Sequence, residues 1–237
     1  MRKWMYGIFV TLCLLFIGAN SVSALNYPNK IVGQDISWPN CNTLKLTPAT
    51  FGIVGVNGGL DFYFNPCLGR EAALYKNNLS LYVNTGFPGA PYDLKFQSWP
   101  LKCSTTNINC MAYNYGYNAG RESVNYALSQ GVVSNNWWLD VETVNSWQNN
   151  YSYNRSSLTG EVNAINDSLK PTEIGLYTYP AEWLVIAGNW QNKLPNWVAT
   201  DSNFKKVAEN ECFGQSFNGG KTLLTQYISK LDLDLAC

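Results

Sequence analysis

The chain of 237 residues contains no histidine. That absence excludes a Ser-His-Asp triad, a Cys-His dyad and every metal site built on imidazole. Any catalysis must therefore use carboxylates, tyrosines or lysines. Charge is also scarce, at 14% of residues, and it balances, with 16 Lys and Arg against 16 Asp and Glu. No basic patch stands out, so nucleic acid is not an expected partner. There is no CxxC pair, which together with the missing histidine speaks against structural zinc. No internal repeat or low-complexity linker is present, so one folded domain is expected.

Long apolar runs are equally rare, and the single one lies at the start. "MRKW" is a short basic opening, "MYGIFVTLCLLFIGA" the apolar run and "SVSA" the small residues of a cleavage site, so residues 1–24 read as a signal peptide. The run is short for a membrane span and no second one follows, although an uncleaved anchor is the alternative. Residues 25–237 are thus expected to be secreted, extracellular or at the cell surface, without membrane contact once the leader is gone. Cys13 leaves with the leader, and Cys41, Cys67, Cys103, Cys110, Cys212 and Cys237 remain. An even number of cysteines in an exported chain reads as disulfides. Sequence order suggests Cys41–Cys67, Cys103–Cys110 and Cys212–Cys237, with other pairings open. Sequons at Asn78, Asn150, Asn154 and Asn166 would be glycan acceptors in a eukaryotic secretory route.

The rest alternates between short apolar runs and amphipathic stretches. Strands are expected at 30–37, 51–57, 79–85, 135–142, 173–179, 196–200, 223–228 and 231–236. Helix-like segments such as "LGREAALYKN", "NAGRESVNYALSQ", "SSLTGEVNAINDSLK" and "PAEWLVIAGNW" lie between several of them. Continuous apolar runs suit parallel strands covered on both faces. The expected fold is therefore α/β: an irregular (β/α)8 TIM-type barrel, one disulfide-stapled domain over 25–237, with a doubly wound open sheet as competitor. Some helices near the C-terminus must then be short or missing. The longest irregular piece, residues 86–112, follows the third strand, where a barrel would place it on its active-site face.

Acidic residues gather near strand ends. In "WWLDVET" (137–143) the extended chain puts Asp140 and Glu142 on one face and Leu139 and Val141 on the other. Asp35 ends the first strand, and Asp232 and Asp234 repeat the i, i+2 spacing in the last. A closed barrel makes its first and last strands neighbours, so Asp35 would meet Asp232 and Asp234, with strand four facing them across the mouth. Clustered carboxylates suit glycoside cleavage, in which one acid is held protonated and another ionised. The same acids could instead ligate Ca²⁺ or Mg²⁺, or singly cap turns.

Trp, Tyr and Phe make up 14% of the chain, and flat rings stack on the apolar faces of sugars. Trp38, Trp99 and Trp147, in loop-like settings, are candidates to line a groove. Asn57 and Asn84, ending the second and third strands, are candidate polar contacts. "NGGKT" (218–222) is not a phosphate loop, because Gln215 stands where the first glycine is required and a strand follows. "YNYGYNAG" (113–120) reads as the first turn of a helix, with Asn114 and Tyr115 near enough to reach a groove.

Taken in order, these motifs resemble those of the glycoside hydrolase family 25 lysozymes: Gly33-Gln34-Asp35-Ile36-Ser37, Asp140-Val141-Glu142, Gly175-Leu176-Tyr177-Thr178, Gln226-Tyr227 and Leu231-Asp232-Leu233-Asp234. The resemblance implies an irregular β/α barrel that cleaves the β-1,4 bond between N-acetylmuramic acid and N-acetylglucosamine. It implies Glu142 as proton donor, Asp140 and Asp35 as supporting carboxylates, Asp232 as a further catalytic candidate, and Tyr177 and Gln226 as substrate contacts. The six cysteines, the "SWPNC" continuation and the 86–112 insertion look like a divergent, secreted branch. The expectation is a secreted, muramidase-like glycoside hydrolase, working as a monomer on peptidoglycan or a related glycan, with no cofactor or metal. The alternative is a catalytically inactive carbohydrate-binding or cell-surface barrel.

Overall fold

The structure, a computed structural model, describes residues 27–42, 49–75, 78–89, 96–170 and 172–237. The expected leader lies outside them. Eight strands close into a barrel in sequence order: β1 Val32–Ile36, β2 Gly52–Gly55, β3 Leu79–Asn84, β4 Asn136–Asp140, β5 Glu173–Thr178, β6 Asn196–Ala199, β7 Thr222–Ile228 and β8 Asp232–Ala236. Pairings from β1 through β7 are parallel, whereas β8 runs antiparallel to both β7 and β1. Only residues 229–231 separate β7 from β8. A parallel crossover needs about a dozen residues, so the chain turns back as a hairpin instead.

Helices follow the inner strands: α1 Leu68–Ala72, α2 Ile108–Ser129, α3 Tyr151–Ser168, α4 Pro180–Ala187 and α5 Lys205–Glu211. A 3-10 turn, Trp38–Asn42, follows β1. The barrel is thus irregular, with strong helices on one side and short ones on the other. Among the described residues no helix is long and apolar enough to cross a membrane.

Two helices begin earlier than their apolar periodicity predicts, each because an asparagine caps it. Asn107 accepts from the Cys110 N–H at 3.1 Å, and Asn150 accepts from those of Ser152 and Tyr153 at 2.9 and 3.3 Å. "YNYGYNAG" therefore lies inside α2 rather than at its first turn. Asn154 is fully buried and donates to the carbonyls of Gln148 and Ile186, which closes that sequon to a glycan in the folded chain.

Strand alternation divides the core in two. In β4, Trp137 and Leu139 face outward with Val141 beyond them, joining Val54, Leu81 and Leu176 beneath the helices. Trp138 faces inward and packs with Ile53, Tyr177, Trp197 and Leu224 inside the barrel. Gly175 makes room for this, since a Cβ there would lie 2.2 Å from the Trp138 ring. The cysteines pair Cys41–Cys67, Cys103–Cys110 and Cys212–Cys237, the pairing sequence order suggests. Cys103–Cys110 closes the insertion onto α2. There Asn114 is buried, donating to the carbonyls of Phe96 and Leu101 and accepting from the Leu101 N–H, so it anchors the loop.

Candidate active site

The C-terminal ends of the parallel strands form one mouth, and the reversal of β8 brings that strand's first residue to the same end. Asp35 of β1, Asp140 at the end of β4, Glu142 two residues on and Asp232 at the start of β8 consequently line a single cleft of about 310 Å³. Trp38, Asn84, Tyr177 and Gln226 line it too. Asn57, Trp99 and Trp147 do not. Asn57 exchanges two hydrogen bonds with the backbone of Asn84, at 2.8 and 2.9 Å, and so holds that residue in place. Trp147 donates its indole N–H to the Glu142 carbonyl at 2.9 Å, fixing the backbone that carries the acid. Trp99 packs on Tyr117 and beneath the Arg121 guanidinium, 4.1 Å from its ring centre, on the outer face of α2.

Each carboxylate has its own environment. Asp140 is 4% exposed and receives the Asn84 side-chain N–H at 2.6 Å on Oδ2. Its Oδ1 has no hydrogen-bond partner, and its carboxyl lies near enough to that of Glu142 for the two to share a proton. Burial first, and the Glu142 charge second, hold Asp140 well above the usual carboxylate range. Glu142 is also raised, first by burial and then by the charge of Glu182. Glu182 opens α4 and accepts from the Thr143 N–H and hydroxyl at 2.9 and 2.7 Å, which pins the turn after Glu142.

Across the mouth, Asp35 is pushed up to about 7 by burial and by Asp232, against the opposing effect of a hydrogen bond from Gln226. That bond, Gln226 Nε2 to Asp35 Oδ2, measures 2.9 Å. The other end of the same amide accepts from the Tyr177 hydroxyl at 2.8 Å, so the glutamine is held in one orientation. Beneath them Asp234 is fully buried, set opposite Gly33 and Gln226 in the sheet. Its carboxyl is raised by burial and by the charges of Asp35 and Asp232, against the opposing effect of the Trp197 indole N–H. Asp232, at the exposed rim, is raised by partial burial. The cleft thus contains more carboxyl groups than can ionise together. Among the described residues no three-acid group suits a metal ion.

Tyr82 and Trp197 also line it, with Tyr82 edge-on to Trp197 at 6.3 Å and Tyr177 against Trp197 at 4.4 Å. Neither stands out by motif. Tyr82 follows from period two, because it shares a strand face with Asn84. Trp197 follows only from register, standing opposite Tyr177.

The described elements form an irregular, closed α/β barrel with an acidic mouth. The barrel is similar to the muramidase from Trichobolus zukalii, with a TM-score of 0.55 at 17% identity over 87% of this chain and 93% of that one. Weaker likenesses run to the catalytic domain of endolysin ply40 from bacteriophage P40 of Listeria monocytogenes (TM-score 0.48, 14% identity, 90% and 95% covered). A family 25 glycosyl hydrolase from Bacillus anthracis is also similar (0.46, 13%, 88% and 89%). No family model and no curated protein matches the sequence.

Proposed function

We propose that this protein is a secreted glycoside hydrolase of muramidase type, cleaving a cell-wall or related N-acetylated polysaccharide. The observation that carries the reading is the convergence of Asp35, Asp140, Glu142 and Asp232 on one aromatic-walled cleft. Glu142 is the proton donor. Burial and the Glu182 charge favour its protonated form, and a bound sugar that excludes water favours it further. Asp140, held by Asn84, shares the proton and tunes its donation. Asp35, oriented by Gln226, faces the scissile carbon as the ionised partner that stabilises developing positive charge. Trp38, half exposed at the rim, offers a stacking face to a pyranose. The disulfides and the leader-like first 24 residues support an extracellular setting.

The test is release of soluble fragments. Oxidised protein is incubated with peptidoglycan and with chitin, and products are read by mass spectrometry. Wild type should release muropeptides, and Glu142→Gln should lower the rate about 10³-fold. Glycan binding without release by either protein would instead establish a binding module on a hydrolase scaffold.

A further inference from the structure

Beside the acidic cleft lies a second cavity of about 340 Å³. The two share a wall: Gly59 and Asn84 line the cleft, while the residues after them, Leu60 and Thr85, line the neighbour. Aromatic rings form the second cavity's sides. Phe62 lies nearly parallel to Phe96 at 5.8 Å between ring centres, and Tyr115 meets them edge-on at 5.3 and 5.1 Å. Phe62 holds a left-handed backbone, φ 65°, in taking this position. A bulky residue adopts that conformation only where its surroundings impose it.

Asp61 also lines this cavity, is only 9% exposed, and has no hydrogen-bond partner on Oδ1. The Tyr115 hydroxyl bonds to its carboxyl. Glu161 of α3 acts on it electrostatically, is 1% exposed and has no partner on either oxygen. Glycines accommodate both acids: a Cβ at Gly86 would lie 3.1 Å from Asp61 Oδ2, and one at Gly120 3.0 Å from Glu161 Cγ. Among the described residues no ion pair reaches either acid, and burial pushes Asp61 up to about 7. Desolvated carboxylates without a counter-charge are costly unless a cation arrives or a proton stays.

The geometry points to a binding site for a primary ammonium group in this cavity, with Asp61 as counter-charge and Phe62, Phe96 and Tyr115 as the cage. Cations favour the faces of such rings when they are desolvated. The inference relies on the hydrolase reading only for the source of the group. A cell wall carries it either on a de-N-acetylated amino sugar, adjacent along the glycan to the cleaved bond, or on the side-chain amine of a wall peptide. Acetylation of either removes the charge. For the peptide amine, charged up to about pH 10, affinity should rise with pH through about 7 as Asp61 ionises; for the amino sugar, whose amine deprotonates near about pH 7, it should peak there, with Glu161 and the Tyr115 hydroxyl as the titratable groups facing Asp61.

The test uses the oxidised protein in calorimetric titrations, at about pH 7 for the glycan pair, whose amine loses its proton above that, and at about pH 8 for the peptide pair. Ligands are the glucosamine tetramer against its N-acetylated form, and a lysyl peptide against its Nε-acetyl form. One ammonium ligand should bind about tenfold more tightly than its acetylated counterpart. The preferred pair identifies the source as glycan or peptide. Asp61→Asn should erase the preference. Glu161→Gln should weaken it, and serves as the second variant if Asp61→Asn fails to fold. Glu142→Gln should keep the preference, so absence of hydrolysis in the wild type would leave this result standing. Equal binding of ammonium and acetyl forms, or a preference that survives Asp61→Asn, overturns the proposal.

Discussion

Gln226 uses both ends of its amide inside the cleft, accepting from Tyr177 and donating to Asp35. A hydrogen bond to a carboxylate favours its ionised form, so this donor holds Asp35 below the value that burial alone would impose. Gln226→Leu should therefore raise the Asp35 pKa further and move the acid limb of the kcat/KM profile to higher pH. Fragment release measured between about pH 4 and pH 8 reads the effect. An unmoved limb would remove Asp35 from the ionised role. Asp140 depends in the same way on Asn84, which Asn57 in turn clamps by two hydrogen bonds. A side chain outside the cleft thus sets the direction of one inside it.

At the scale of elements, α2 and α3 meet backbone to backbone. Gly116 and Gly160 let the two backbones touch, because a Cβ at 160 would lie 2.1 Å from the Tyr113 carbonyl oxygen and one at 116 lies 1.9 Å from that of Ser157. Backbone cannot yield as a flexible side chain can. Gly160→Ala should therefore destabilise the protein by about 3 kcal/mol or more, read from urea unfolding midpoints. The reaction rate per folded molecule should be unchanged, since neither helix lines the cleft. The other decisive element is β8. Its reversal brings Asp232 to the mouth and Asp234 beneath Asp35, and Cys212–Cys237 ties its end to the residue after α5.

For the whole molecule, the distribution of charge sets the response to pH. Asp35, Asp61, Glu71, Asp140, Glu142, Glu161, Asp232 and Asp234 are all raised, each chiefly by burial. A carboxyl raised on folding binds its proton more tightly in the native state. It stabilises fully below its unfolded value near 4 and loses that contribution as pH rises through its folded value, about 7 for Asp35 and Asp61. Melting temperature should thus be higher near about pH 4.5 than near about pH 8, and a calorimetric scan with the opposite slope would contradict the burial of these acids. Salt should alter this little, because the ion pairs described, Lys170–Asp167 and Lys206–Glu209, are exposed.

Much of this protein follows from its sequence by local rules. Period two sends Asp140 inward and Leu139 outward, the absence of histidine excludes imidazole chemistry, and eight apolar runs separated by polar stretches yield eight strands. Order along the chain was enough to pair the cysteines, since each bridge closes a short loop of 7 to 26 residues. Tertiary structure alone decided the rest. Trp197 enters the site through its register opposite Tyr177, and Trp99 leaves it because α2 offers its ring Tyr117 and Arg121. The cavity at Asp61 joins residues from a loop, an insertion and a helix, which no periodicity relates. Local geometry determines which way a side chain points, but only closure of the barrel determines what it then faces.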